Sequence, residues 1–274
     1  MHAHLVNPPG NDLQCLESCT TGLQHGFWEN DLLLNPDKSE VCFFSTGQKL
    51  SRTPLPSTVT VASCPITVSD KSKTLGIMLD AALTFVDYIN NVVKACNFHM
   101  WGLRRSISRD VANTMVACIV GTHLDYCNAL LYGATEKLLS KFQIVQNKLA
   151  RDVCNVSTRH QQTIDLLRNM HWLPIRCRIT FKVATLCYKT YRLHQPGYLL
   201  DTLEPYVPCC GLRSAEMDLL TVLRSRTKTA TCRFSSAAPT VWNELPLSIR
   251  NTDSIITFKS HLETHLFRHN FLVK

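Results

Sequence analysis

The spacing of hydrophobic residues changes character at Ala81, and that change limits the fold more than any single motif does. Ahead of it, apolar residues come in short runs with a period near two. Thr58 to Val68 alternates Val59 and Val61, then Ile66 and Val68, around a break at Pro65. Such alternation predicts half-buried strands, and the proline places them at a sheet edge. Glu40 to Ser45 reads as another short β-rich run, and Lys73 to Asp80 as a further apolar strand. Before them, Leu13, Leu16, Leu23 and Phe27 recur at helical spacing, with Asn11 or Asp12 placed to cap that helix. Residues 1–80 therefore predict one helix, then three or four short strands, with a Pro/Ser-rich loop at 51–57.

Behind Ala81 the helical period takes over. Phe85, Ile89, Val92, Val93, Cys96, Met100 and Leu103 form one stripe. Ser108 is placed to cap a second helix carrying Val111, Met115, Cys118 and Ile119. Thr135 caps a third, with Leu138, Leu139, Phe142, Val145, Leu149 and Val153 facing inward. A fourth helix covers 161–169. A fifth runs over 175–192 after the Trp172-Leu173-Pro174 turn and is rich in Arg and Lys. Past Gln195-Pro196-Gly197 the pattern loosens. Leu219 to Leu223 reads as a strand and Ala238 to Ile249 as a short helix broken by Pro246. Ser254 caps a last helix with Ile255, Phe258, Leu262, Leu266 and Phe267 inward. The expected class is α+β, in three regions at 1–80, 81–195 and 196–274.

A chain of 274 residues, 45% of them apolar, can bury a substantial core. It holds no run near the ~18 apolar residues that a membrane helix needs, so no membrane partner is expected. Met1 to Gly10 has two His, two Pro and no apolar centre, unlike a secretory signal. The expectation is an intracellular protein, cytoplasmic or nuclear, whose thirteen cysteines stay reduced. No Cys-x-x-Cys pair exists. Cys15 with Cys19 and Cys209 with Cys210 lack a matching second pair, so a zinc site is not expected.

The charge is uneven. Residues 1–89 carry 5 Lys+Arg against 9 Asp+Glu, a net of −4. Residues 90–200 carry 15 against 5, a net of +10. Residues 201–274 carry 9 against 7, a net of +2. A concentrated basic block attracts and steers phosphate backbones, although solvated helix faces with surplus Arg read the same way.

An ordered set of motifs adds an identity to this outline. Asn30-Asp31-Leu32-Leu33-Leu34-Asn35-Pro36-Asp37-Lys38-Ser39-Glu40-Val41 is followed by Thr74-Leu75-Gly76-Ile77 and Leu124-Asp125-Tyr126-Cys127-Asn128-Ala129-Leu130-Leu131. Then come Gln143-Ile144-Val145-Gln146-Asn147, His171-Trp172-Leu173-Pro174-Ile175, Phe181-Lys182-Val183 and Tyr188-Lys189. Leu212-Arg213-Ser214, Phe234-Ser235, Ala238 to Pro246 and Phe258-Lys259-Ser260-His261-Leu262 complete the series. Over residues 11–271 this resembles the late palm, thumb and C-terminal region of a LINE-type non-LTR retrotransposon reverse transcriptase.

The resemblance implies a small antiparallel palm remnant with an exposed edge, then a mainly α-helical thumb bundle and a C-terminal helical region. It implies that Lys38 approaches the departing pyrophosphate, where an ammonium can neutralise charge or donate a proton. With no metal site beside it, Lys38 reads first as a surface lysine closing a Pro-Asp turn. Leu75 and Gly76 would lie near a primer end, where glycine permits close backbone approach; the plain alternative is a strand bulge. Lys94, Arg104, Arg105 and Arg109 would face a template–primer groove, with Lys182 and Lys189 extending the basic lining.

No catalytic residue carries over. Polymerases of this family hold two Mg²⁺ ions on converging carboxylates, and this sequence has no Asp-Asp pair. Asp31, Asp37, Asp70, Asp80 and Asp87 are scattered, and Asp80 and Asp87 read as cap and first-turn residues of a helix. The expectation is a chain without cofactor or small-molecule substrate, inactive alone. It would bind duplex or hybrid nucleic acid non-specifically, or join a separate catalytic half. The rival is a helical protein–protein module.

Three other constellations are weaker. His261, His265 and His269 share one helix face, but the Glu of a His-Glu-x-x-His site is missing. No Gly-x-Ser-x-Gly elbow supports a serine nucleophile. Trp172 and Trp242 are flanked by apolar residues and read as core anchors before they read as base-stacking groups.

Overall fold

A computed structural model describes residues 9–33, 35–61, 64–102, 109–156, 162–208, 217–225 and 227–272. It is mostly helical, with two small antiparallel sheets of two strands each. The chain divides into two compact units, 1–88 and 89–274, where the sequence suggests boundaries near 80 and 195.

In the first unit, helix α1 (Pro9–Trp28) and the short α2 (Gly47–Arg52) precede β1 (Thr58–Val61), β2 (Cys64–Thr67), β3 (Lys71–Thr74) and β4 (Ile77–Asp80). Asn11 and Asp12 lie inside α1, which starts two residues before Asn11 at Pro9. A proline suits a first turn because its missing N–H would be unpaired there anyway. α1 packs on β1. Val59 of β1 lies opposite Ile66 of β2, and both are buried, as a period of two requires. Pro65 is accommodated within β2, opposite Thr60.

Two strand expectations need correction. Lys73 to Asp80 is not one strand but the end of the first arm, the turn and the second arm of the β3–β4 hairpin, with Thr74 paired to Ile77. Leu75 (φ 49°) and Gly76 (φ 81°) form its two-residue loop. Positive φ at both positions is what the twist of a tight hairpin demands. A leucine there costs about 1 kcal/mol of backbone strain, and so it masked the turn in the sequence. Glu40 to Ser45 contributes only a single parallel bridge, Val41 to Val68. The segment acts instead as a stitch. Ser69 N–H donates to the Val41 carbonyl at 2.8 Å, Lys73 N–H to Glu40 Oε2 at 3.1 Å, and Ser45 N–H to the Ala81 carbonyl at 3.0 Å.

Asp80 ends β4 and holds the chain that enters α3 (Val86–Gly102). Its carboxylate accepts the N–H groups of Thr84 and Phe85, each at 2.9 Å. Asp87, in the first turn of α3, pairs with Lys71 at 2.7 Å.

The second unit continues with α4 (Arg109–Asp125), α5 (Glu136–Val153), α6 (Thr163–Asn169), α7 (Ile175–Leu193) and α8 (Gly197–Leu200). It ends with α9 (Lys228–Thr231), α10 (Phe234–Glu244), α11 (Leu247–Arg250) and α12 (Ile255–Phe271). Helix α7 is the axis. It packs against α4, α5, α8, α10 and α12, and Ile175, Ile179, Val183, Ala184, Cys187 and Tyr188 are buried along it. Each such aliphatic or aromatic side chain contributes about 1.5–3 kcal/mol by leaving water.

Around Tyr188 the rings collect. Phe258 of α12 stacks on it with centroids 4.4 Å apart, and Trp242 of α10 lies 6.4 Å away and fully buried. Trp172 packs at half-burial against Ala150, Leu166 and Leu167. Both tryptophans therefore serve as core anchors.

α5 and α12 follow their sequence pattern. Leu139, Phe142, Val145 and Leu149 are buried on α5, and Phe258 and Leu262 on α12. Ser254 Oγ accepts the Ile256 N–H at 3.2 Å as the cap. α4 does not follow its pattern. Its buried face is Val116, Val120 and Leu124, while Val111 and Met115 are 49% and 40% exposed. The expected strand at 219–223 reduces to one bridge, Leu220 to Pro205. The Ser108 cap, Cys209-Cys210 and Leu212-Arg213-Ser214 lie outside the described residues.

Candidate nucleic-acid interface

The implied pyrophosphate and primer residues belong to the first unit. Asn35 shapes the Lys38 turn. Its Oδ1 accepts the Asp37 N–H at 2.9 Å, and its carbonyl accepts the Lys38 N–H at 3.3 Å and the Ser39 hydroxyl at 2.9 Å. This closes a 3₁₀ turn over Pro36–Lys38 and leaves Lys38 exposed. Leu75 is 84% exposed at the hairpin tip. Leu75 and Gly76 are thus a tight turn and not a bulge.

The other basic residues belong to the second unit. Lys94 is exposed on α3. Arg109 is the first residue of α4, and Arg104 and Arg105 lie outside the described residues. Lys182 and Lys189 are both exposed on α7. Seven residues apart, they lie on one side of that helix.

The sequence reading passed over a second basic face. On α5, Lys137, Lys141, Lys148 and Arg151 fall within about 80° of one another at ~100° per residue. They lie about 110° around the helix from the buried Phe142–Val145–Leu149 stripe. The signal was present as the spacing i, i+4, i+11, i+14, but the apolar stripe of the same helix drew the reading. Lys141 Nζ donates to Asn90 Oδ1 of α3 at 2.6 Å, and Arg151 to the Thr163 hydroxyl at 3.0 Å, so two of the four are held by neutral partners.

Ion pairing decides which cations keep their charge for a ligand. Arg176 pairs with Glu136, Arg178 with Asp125, Arg192 with Asp218 at 2.7 Å, and Arg168 with Asp165 at 3.6 Å. Among the described residues, four arginines of the basic block are thus committed to carboxylates. Among the described residues, Lys94, Lys137, Lys148, Lys182 and Lys189 have no carboxylate within ion-pair distance. A phosphate could replace water at these ammonium groups without breaking a pair.

Several of the implied motifs turn out to be structural. Asp125 accepts Arg178 Nε at 2.8 Å and a second Arg178 nitrogen, a fork that ties the end of α4 to α7. Gln146, fully buried, donates to the Leu173 carbonyl at 2.9 Å, and Gln143 Oε1 accepts the Ile175 N–H at 3.0 Å. These two glutamines fasten the His171–Pro174 turn to α5. A cavity of about 340 Å³ opens beside them, lined by Asp125, Asn128, Trp172, Arg178, Lys182 and Glu263 among others. Its two carboxylates oppose Lys182, and its guanidinium is already paired, so it offers no net anion site.

His261, His265 and His269 share α12, with the His265 and His269 rings 6.3 Å apart. Burial, and then His269, lower the pKa of His265. Among the described residues, no group of three or more His, Cys, Asp or Glu side chains could hold a metal ion. Among the described residues, no helix is long and apolar enough to cross a membrane. No family model matches the chain, and no curated protein or solved structure matches it.

Proposed function

We propose that this chain is the late-palm, thumb and C-terminal part of a LINE-type non-LTR reverse transcriptase. It does not polymerise by itself and binds nucleic acid non-specifically through its second unit. The ordered motif series supports the kinship. The observation that carries the binding is the set of lysines without carboxylate partners on α3, α5 and α7: Lys94, Lys137, Lys148, Lys182 and Lys189. Their ammonium groups match a phosphate backbone, and no feature of them reads base sequence.

Fluorescence anisotropy with a labelled DNA duplex and an RNA–DNA hybrid tests this. The logarithm of affinity should fall linearly with the logarithm of salt, with a slope of about −0.9 per phosphate neutralised. A flat response, or no binding at low salt, refutes it. Primer extension with Mg²⁺ tests the catalytic half of the reading, and incorporation by the isolated chain overturns it.

The rival, a helical protein–protein module, draws on the α4 side where Val111, Met115 and Cys118 are exposed. A partner held there should be displaced by Met115→Lys, which leaves the lysine set untouched.

A further inference from the structure

Two of the largest apolar side chains of the second unit stand almost bare on one helix face. On α3, Phe98 is 74% exposed and Trp101 is 77% exposed. With Lys94 they follow the spacing i, i+4, i+7, which places all three on one side of the helix. At 1.5 Å per residue the row is about 10 Å long, near the length of three stacked nucleotides at ~3.4 Å each. The row is backed by further rings. Phe98 meets His99 edge-on at 5.6 Å, and His99 stacks on His123 of α4 at 5.4 Å.

On α3 the one carboxylate, Asp87, lies seven residues before Lys94 and is already paired with Lys71 at 2.7 Å. From Asn90 to Gly102 the helix contains no Asp or Glu. Lys94 has no carboxylate partner among the described residues. Bare rings beside an ammonium without a carboxylate partner suit a ligand with flat π-faces on an anionic backbone. A second copy of the chain would bring the same positive charge to the face. The two rings also supply at most about 250 Å² each, short of the ~800 Å² per partner in a standard interface.

We infer that Lys94, Phe98 and Trp101 form a stacking site for unpaired bases, so the chain prefers single-stranded nucleic acid, or a single-strand overhang, to blunt duplex. The inference rests on the nucleic-acid reading above and adds the structure of the ligand. Lys94 holds a phosphate while two bases lie on Phe98 and Trp101.

The test compares a labelled oligo-dT with a blunt duplex of equal length, using the full chain and its variants Trp101→Ala, Phe98→Ala and Trp101→Phe. Single-strand affinity should fall about 5- to 150-fold for either alanine variant, as loss of one stacked base implies. Trp101→Phe should keep most of it, and duplex affinity should stay within about two-fold. Single-strand and duplex affinities that are equal and indifferent to these variants would overturn the stacking site and leave the nucleic-acid reading standing. Absence of binding to either ligand overturns both. A concentration-dependent mass by light scattering that Trp101→Ala abolishes, with single-strand affinity unchanged, assigns the face to self-association and also overturns the proposal.

Discussion

Asn243 of α10 should hold the second unit together more firmly than its half-exposed position suggests. Its amide is bonded on both sides to one residue. Oδ1 accepts the Leu220 N–H at 2.9 Å, and Nδ2 donates to the Leu220 carbonyl at 2.8 Å. Leu220 is 1% exposed, so water has little access to replace those partners. The neighbouring anchors bind the same segment, since Trp242 Nε1 donates to the Asp218 carbonyl at 2.9 Å and Arg250 to the Met217 and Asp218 carbonyls. Asn243→Ala strands a buried donor and a buried acceptor at about 1–3 kcal/mol each. A net loss of about 3 kcal/mol would lower Tm by about 6–12 °C in a unit of this size. Asn243→Asp separates the two bonds. The introduced carboxylate still accepts from Leu220 N–H but sets an oxygen against the Leu220 carbonyl. Its protonated form can donate to that carbonyl, so its folded-state pKa should be raised above the ordinary Asp value of about 3.9. The stability it contributes is then fully present below that ordinary value and is lost as pH rises through the folded-state value. Thermal melts followed by circular dichroism at pH 4 and pH 7, each referred to the native protein, should show the Asn243→Asp deficit shrinking at pH 4. Melting of Asn243→Ala within 2 °C of the native protein would refute the two-bond account.

Four further outcomes are expected. Leu75→Asn should raise the stability of the first unit by about 0.5–1 kcal/mol, because Asn tolerates the positive φ that Leu75 holds in its exposed turn; chemical denaturation followed by hydrogen exchange of the hairpin amides checks it. Burial pushes the Cys96 thiol up to about 11 from an ordinary value near 9.0, and raises Cys187 too, whereas Cys15, Cys19 and Cys118 are exposed. A thiol-reactive dye should therefore label the exposed three first. The stability that comes from keeping Cys96 neutral is full below pH 9 and lost toward pH 11, so denaturation midpoints should fall across that window. Lys137→Ala combined with Lys148→Ala should make the salt slope for duplex binding shallower by up to about 1.8 while leaving Tm unchanged.

The sequence was most readable where one face of a helix was apolar and the other was not. α5 and α12 are such helices, and their inward residues and the Ser254 cap were plain from spacing. α4 carries two apolar stripes. Val111–Met115–Cys118 and Val116–Val120–Leu124 are equally good stripes, and packing against α5 and α7 chose the second. The hairpin turn was hidden because leucine rarely adopts a left-handed backbone conformation. The basic block was legible as a total of charges but not as a site. Arginine and lysine look alike in a charge count, yet among the described residues of the block four arginines pair with carboxylates and the lysines do not. Polar motif residues such as Asp125, Gln143, Gln146 and Asn243 fasten turns and helices to one another, a role that only the long-range hydrogen bonds expose.

The central place of α7 has a consequence for how the protein is made. On a ribosome, α4 and α5 emerge before it, but Trp242 and Phe258, which cover the rest of its apolar side, are synthesised roughly 50 to 65 residues after its end. At about 5–20 residues per second that is a delay of some 3–13 seconds. For that interval a nascent chain presents Tyr188 and its neighbours to solvent as a sticky half-built surface, and a chaperone has time to find it.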